Sequence, residues 1–294
     1  MGYLLLSVAL FAGLFKGYVG KQTSFSVKSF SDGIFVNMLR CLICSILGFV
    51  VIITQNGFQG FIISITEFAI CLMSAVFSAI FCVSWLYTYK SEVYMFLSVF
   101  TMLGAIVTGV LGLLIYNENI SICKIIGMFL LIVAVYVMSF YNSDLKGKLG
   151  FSALILLIVG ALASSLADFS QKVFRNSGGT NLSAFTFYTY LIAFVFQFVI
   201  WIIIRTKNSS NSKHLCSKKY IIFYILYSIF LYINLLSKTA AAGMLSASFM
   251  YPALQGANLI SSAIMAAIFM KEIPNKKSVI SIFIALGAVV LMTL

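Results

Sequence analysis

Residues 118–138, ENISICKIIGMFLLIVAVYVM, and residues 272–292, EIPNKKSVISIFIALGAVVLM, carry the pattern on which the fold turns. Each opens on a glutamate, crosses a few polar residues and continues as an apolar run of helix length. Offset by 154 residues, they agree at Glu118/Glu272, Ile126/Ile280, Phe129/Phe283, Ala134/Ala288, Val135/Val289 and Met138/Met292. Apolar helices match at aliphatic positions by chance, so the shared glutamate weighs more than the rest. Self-similarity at long range is the mark of a duplicated architecture.

The residues around these two runs are equally apolar. Of 294 residues, 62% are hydrophobic and 9% charged, with a mean hydropathy of +1.09; soluble domains carry about a quarter charged residues. A membrane-spanning helix takes roughly 20 apolar residues at a rise of about 1.5 Å each. The chain therefore has material for about ten such helices and short connections. This excludes disorder, a disulfide-stapled secreted fold and a soluble Rossmann or TIM-barrel enzyme. Continuous apolar runs also argue against an outer-membrane barrel, whose strands alternate with period two.

Polar punctuation divides the chain into ten predicted helices: Gly2 to Gly20, Ile34 to Thr54, Thr66 to Tyr89, Val93 to Tyr116, Ser121 to Tyr141, Leu149 to Phe169, Leu182 to Ile204, Tyr220 to Lys238, Leu245 to Met270 and Ser278 to Met292. The fold class expected is all-α and membrane-integral, with residues 1–145 forming one five-helix repeat and 146–294 the second. At an offset of 151, Gly20-Lys21 at the end of the first helix falls on Gln171-Lys172. Five is odd, so the two halves enter the bilayer with opposite polarity. That is the inverted-topology repeat that many transporters use for alternating access.

Charge sets the expected orientation. The connections after the odd-numbered helices hold Lys21, Lys28, Lys90, Lys146, Lys148, Arg205, Lys207, Lys213, Lys218, Lys219, Lys271, Lys276 and Lys277, thirteen of the nineteen basic residues. The positive-inside rule puts that face in the cytoplasm and both termini outside. The protein is expected in the cytoplasmic (inner) membrane, as a monomer or homodimer. The net charge of +12 is then matched by anionic lipid and needs no nucleic acid. Met1 to Phe15 lacks a basic n-region and a cleavage site, and reads as the first span.

Catalytic signatures are sparse. There is no Walker A loop, dinucleotide turn or HExxH, and the single histidine, His214, stands in a Lys/Ser/Asn-rich loop. Cys41-x-x-Cys44 lies inside an apolar run and reads as packing, since redox or metal chemistry needs accessible thiolates. No enzyme activity, metal or cofactor is expected.

Ten short-looped helices in two halves, Lys21 and Lys172 closing the first and sixth, and Glu118 and Glu272 closing the fourth and ninth resemble the drug/metabolite transporter superfamily, in particular its EamA-type members. The ninth helix, with Ser246-Ala-Ser248, Tyr251-Pro252, Gln255-Gly256 and Asn258 before Lys271-Glu272, is the most similar stretch. The resemblance implies that helices 1 to 4 and 6 to 9 line a solute path while helices 5 and 10 stand aside. It is silent on the substrate. One departure is that EamA-type proteins carry a basic loop between helices 2 and 3 and cytoplasmic termini, whereas Thr54 to Thr66 has no basic residue.

Ionisable groups within spans are functional candidates, because each costs at least about 2.5 to 3.5 kcal/mol at the bilayer centre. Lys16 and Arg40 are the main ones. Asn37 shares a helical face with Arg40, and the pair with Lys16 would give a cavity suited to an anionic or zwitterionic metabolite, such as an amino acid or organic anion. For Asp168, beside Gln171 and Lys172, three readings stand: a structural ion pair with Lys16 or Lys172, an interfacial group without a specific role, or a proton-coupling site. The last would suit the alternative of an exporter of hydrophobic cations. Tyr251, Gln255, Asn258 and Ser262 form a polar stripe on the ninth helix. Tyr94 with Thr101, and Tyr188, are weaker candidates. The candidate substrate-binding set is thus Lys16, Asn37, Arg40, Asp168, Gln171, Tyr251, Gln255 and Asn258. Glu118 and Glu272 are expected to be structural, each facing the positive N-terminal end of the next helix.

Overall fold

Local chemistry sets where the helices begin and end. In the computed structural model, which describes residues 1–88, 99–118, 121–144, 151–207, 215–269 and 275–293, Ser29 and Asp32 form a reciprocal capping box at the start of the second helix. Ser64 and Glu67 do the same at the third. Asn181 and Asn275 accept from the backbone of Ala184 and Ser278, opening the seventh and tenth helices.

The helices are α1 (Gly2–Ser24), α2 (Phe30–Asn56), α3 (Ile65–Thr88), α4 (Leu103–Tyr116), α5 (Ile122–Asp144), α6 (Phe151–Asn176), α7 (Leu182–Lys207), α8 (Lys218–Ala242), α9 (Ala247–Phe269) and α10 (Lys276–Thr293), with residues 99–101 also helical ahead of a turn at Met102. A 3-10 turn (Gly57–Phe61) follows α2, and no strand occurs among the described residues. Among the described residues, eight stretches are long and apolar enough to cross a membrane. The chain is an all-α, multi-pass membrane protein by these criteria. The expected start of the fourth helix at Val93 lies outside the described residues.

The largest departure from the expected ends is α6, which continues past Phe169 to Asn176. The polar residues after Phe169 do not stop it. The stop comes at Gly178, whose φ of 88° is open to glycine, with the Gly179 N–H returning to the Phe174 carbonyl at 3.0 Å. Asp168, Gln171 and Lys172 therefore stand within the helix instead of at its end.

The chain forms two compact units, Met1–Lys90 with Ser170–Gly243, and Ser91–Phe169 with Met244–Leu294. Each draws on both sequence halves, so the units are a different partition from 1–145 and 146–294. In the first unit α1 packs on α8, α2 on α3, α7 and α8, α3 on α7, and α7 on α8. In the second, α5 packs on α10, α4 on α5 and α9, and α9 on α10.

Contacts fix the direction of three of these pairs. Ser26, just past α1, and Phe15 and Ala9 on it meet Tyr224, Phe230 and Asn234 of α8 in that order, so the helices are antiparallel. α2 and α7 are antiparallel too. Asn37 meets Gln197, while Gln55 meets Ser183.

The third pair is α5 with α10, the two helices whose sequences match. A methyl group at Gly127 would strike the Ala288 carbonyl and Met292, and the Ser281 hydroxyl donates to the Ala134 carbonyl at 2.7 Å. Position 127 corresponds to 281 and 134 to 288, so these are one contact made twice, in antiparallel sense. Exposure repeats as well: Phe129 and Phe283 are 64% and 69% exposed, Ile126 and Ile280 47% and 52%, and Ala134 and Ala288 both 0%.

Candidate functional site

Arg40 is set into α2 ten residues beyond its first, and it is 1% exposed. Its guanidinium lies 3.7 Å from the centre of the Tyr227 ring on α8. Its Nη2 donates to the Thr23 hydroxyl in the last turn of α1, and that hydroxyl donates in turn to the Gly20 carbonyl at 2.8 Å. Arg40 thus lies against the C-terminal end of α1, where unpaired carbonyls concentrate negative charge. Among the described residues no carboxylate makes an ion pair with Arg40, and its Nε has no hydrogen-bond partner. The ring face and the helix end are the compensation the protein supplies.

Asn37 shares the α2 face with Arg40 but turns to α7. Fully buried, it donates to Gln197 Oε1 at 2.8 Å. Lys16, half-buried on α1, donates to Asn234 Oδ1 of α8 at 3.4 Å. Asn234 is oriented by its own bond to the Ala9 carbonyl at 2.6 Å. Lys16, Asn37 and Arg40 therefore all belong to the first unit, Lys16 and Asn37 bonded to amides of α8 and α7 and Arg40 to Thr23 of α1 beneath the Tyr227 ring of α8. Lys21 is buried, with its ammonium 5.8 Å from the Phe25 ring centre. Gln171 and Lys172 are buried in the part of α6 that belongs to the same unit.

The other candidates belong to the second unit. Asp168 is buried, and its backbone carbonyl accepts from the Tyr251 hydroxyl. Tyr251 is itself buried, while Gln255 and Asn258 on α9 are half-buried. Ser262 returns its hydroxyl to the Leu259 carbonyl at 2.9 Å. The stripe on α9 is thus anchored to α6 at its first member.

Glu118 serves a helix distant in sequence. Its carboxylate accepts from the backbone N–H groups of Ala247 and Ser248, at 3.0 and 2.9 Å, and so caps α9 from 129 residues away. Lys124 donates to the Ser248 hydroxyl at 3.2 Å beside it. Tyr188 supports the 3-10 turn by donating to the Phe61 carbonyl at 2.7 Å. Cys41 and Cys44 are buried, and Cys44 donates to the Ser228 carbonyl, as packing thiols do. Among the described residues no group of His, Cys, Asp and Glu could hold a metal ion. Tyr94, His214 and Glu272 lie outside the described residues.

Sequence reasoning missed Gln197, Asn234 and Tyr227. The amides had a detectable signal, since each stands in an apolar stretch where a polar group needs a partner. Tyr227 had none, being one of fifteen tyrosines.

Charge is distributed unevenly. The first unit contains thirteen of the nineteen Lys and Arg residues but only two of the seven acids, Asp32 and Glu67. Both acids are engaged at helix N-termini. Glu92, Glu118, Asp144, Asp168 and Glu272 belong to the second unit, so the net charges are +11 and +1.

No family model matches the chain, and no curated protein does. Among solved structures, one described as "Crystal structure of protein" aligns over 98% of this chain and 96% of its own, with a TM-score of 0.63 at 10% identity. At that identity the likeness concerns the fold alone.

Proposed function

We propose that the chain is a secondary transporter of the drug/metabolite transporter type, built as an inverted repeat, that moves a small anionic or zwitterionic metabolite by alternating access. The observation that carries this reading is the α5–α10 pair. Two helices of matching sequence pack antiparallel, with equivalent residues making equivalent contacts and showing equal exposure. A pseudo-two-fold axis in the membrane plane accounts for all three features, and such an axis lets two halves exchange conformations about a midplane site. The packing order agrees with it. Exchanging each helix for the one five places on turns α2 on α3 into α7 on α8, and α4 on α5 into α9 on α10.

Lys16 and Arg40 favour an anionic or zwitterionic solute. Both stand more than a turn inside a span, and the unit that holds them carries a net charge of +11. An exporter of hydrophobic cations would need an acidic site, and of the candidate acids only Asp168 lies well inside a helix.

A ligand screen by thermal stabilisation of the purified protein tests the reading. A transported anion should stabilise the native chain and lose that effect in Lys16→Ala and Arg40→Ala. A ligand that stabilises both variants as well as the native protein would refute the cationic site. Saturable uptake of the same ligand into reconstituted vesicles should follow.

A further inference from the structure

A guanidinium presents its N–H groups in one rigid plane and keeps its charge inside a protein. Its Nε–H and Nη2–H lie along one edge, and that edge matches the two oxygens of a carboxylate or a phosphate. In Arg40 the edge is half used. Nη2 donates to the Thr23 hydroxyl, whereas the buried Nε has no hydrogen-bond partner. One neutral oxygen therefore stands at an edge built for two charged ones.

Thr23 is suited to yield. Its hydroxyl already donates to the Gly20 carbonyl at 2.8 Å. Threonine reaches the carbonyls three and four residues back from different χ1 rotamers, so a rotation keeps its proton bonded to its own helix. Losing Arg40 then costs Thr23 only an acceptor contact. Arg40 has more to gain, because an oxyanion would pair Nε and bring a counter-charge into a low-dielectric interior. Arg40 stands ten residues beyond the first of α2, about 15 Å along its axis, which is deep for a lipid headgroup and leaves a soluble anion as the match.

We propose that Thr23 is a displaceable internal ligand of Arg40: an incoming carboxylate or phosphate takes the Nε–Nη2 edge, and the Thr23 hydroxyl gives way. This deepens the transport reading and rests on it only for the claim that the bound oxyanion is the cargo. The Tyr227 ring, 3.7 Å from the guanidinium, holds the plane in place during the exchange. Thr23 belongs to the last turn of α1 and Arg40 to α2, so binding breaks a bond between two helices, and the strength of that bond tunes the affinity.

The test is thermal unfolding of the full-length protein in lipid-free detergent, with acetate or inorganic phosphate replacing chloride at constant ionic strength. At least one of the two should stabilise saturably relative to chloride, a single atom that cannot span the edge. Thr23→Val keeps the side-chain shape without the hydroxyl. It should lower the half-saturating concentration about tenfold, the worth of one hydrogen bond to a charged group. Thr23→Ser should behave as the native protein does. Arg40→Lys, which keeps the charge but loses the fork, should lose most of the response. A purely structural Thr23 would change the melting temperature without anion and leave the half-saturating concentration alone. Should Thr23→Val fail to fold, Thr23→Ala carries the same expectation. No gain from either oxyanion over chloride, an undiminished response in Arg40→Lys, or a half-saturating concentration that does not fall on removal of the hydroxyl would overturn the proposal. Flux into vesicles separates the two readings. Oxyanion binding with the expected Thr23 effect but without flux would leave the exchange standing and remove transport. Saturable flux of a solute, unaltered in Arg40→Lys and Thr23→Val, would do the reverse.

Discussion

Arg40 shows how a permanent cation is accommodated inside an apolar bundle without a carboxylate partner among the described residues. The Tyr227 ring and the end of α1 share the work. If the ring contact is energetic and not incidental, Tyr227→Leu should destabilise the protein, and much of that loss should vanish in an Arg40→Met background. A double-mutant cycle read by thermal unfolding should give a coupling of about 2 kcal/mol, the size of a desolvated cation–π contact. A coupling near zero would assign Arg40 entirely to Thr23 and the helix end. The Asn37–Gln197 bond invites a parallel comparison. Gln197→Leu leaves a buried amide unmatched and should cost about 1–3 kcal/mol, whereas adding Asn37→Leu should recover part of it. Both Asn37 and Arg40 were legible as polar marks in an apolar run. Their partners were not, because Gln197 and Tyr227 are brought to them by helices more than 150 residues away in sequence.

Among the helices, those with well-marked termini were placed closely from sequence, and those ending in mixed polar stretches were not. Polarity suggested an end for α6 at Phe169, but a polar residue is no obstacle to a helix, and only the positive φ at Gly178 breaks it. Glu118 was recognised as a structural carboxylate. Its bonds to α9 were not legible, since Ala247 and Ser248 are brought to it from 129 and 130 residues away. Glu118→Ala should therefore destabilise α9 by about 1 kcal/mol, a typical N-cap loss, detectable as a lowered melting temperature. The α5–α10 packing gives a sharper expectation. In a cysteine-free background, Ala134→Cys with Ser281→Cys should cross-link on oxidation, whereas Ala134→Cys with Ala288→Cys should not. Cross-linking of the second pair in place of the first would mean that the helices are parallel.

For the molecule as a whole, the apolar composition announced a multi-pass helical protein, and the repeated glutamate is the ground for proposing a duplication. The composition did not announce that the compact units would each mix helices from both halves, or that +11 of the +12 net charge would fall in one of them. Such groupings depend on which helices pack together, which apolar surfaces of similar composition leave undetermined. The charge bias also predicts that Cys216, exposed in the connection between α7 and α8, is cytoplasmic. An impermeant thiol reagent should fail to label it in intact cells. The repeat itself is tested most directly by Ser121 and Asn275, equivalent positions that precede α5 and α10. Introduced singly as cysteines into a cysteine-free chain, they should lie on opposite faces of the membrane, Ser121→Cys labelled from outside the cell and Asn275→Cys only after permeabilisation. Labelling of both from the same side would contradict an inverted repeat and the transport mechanism built on it.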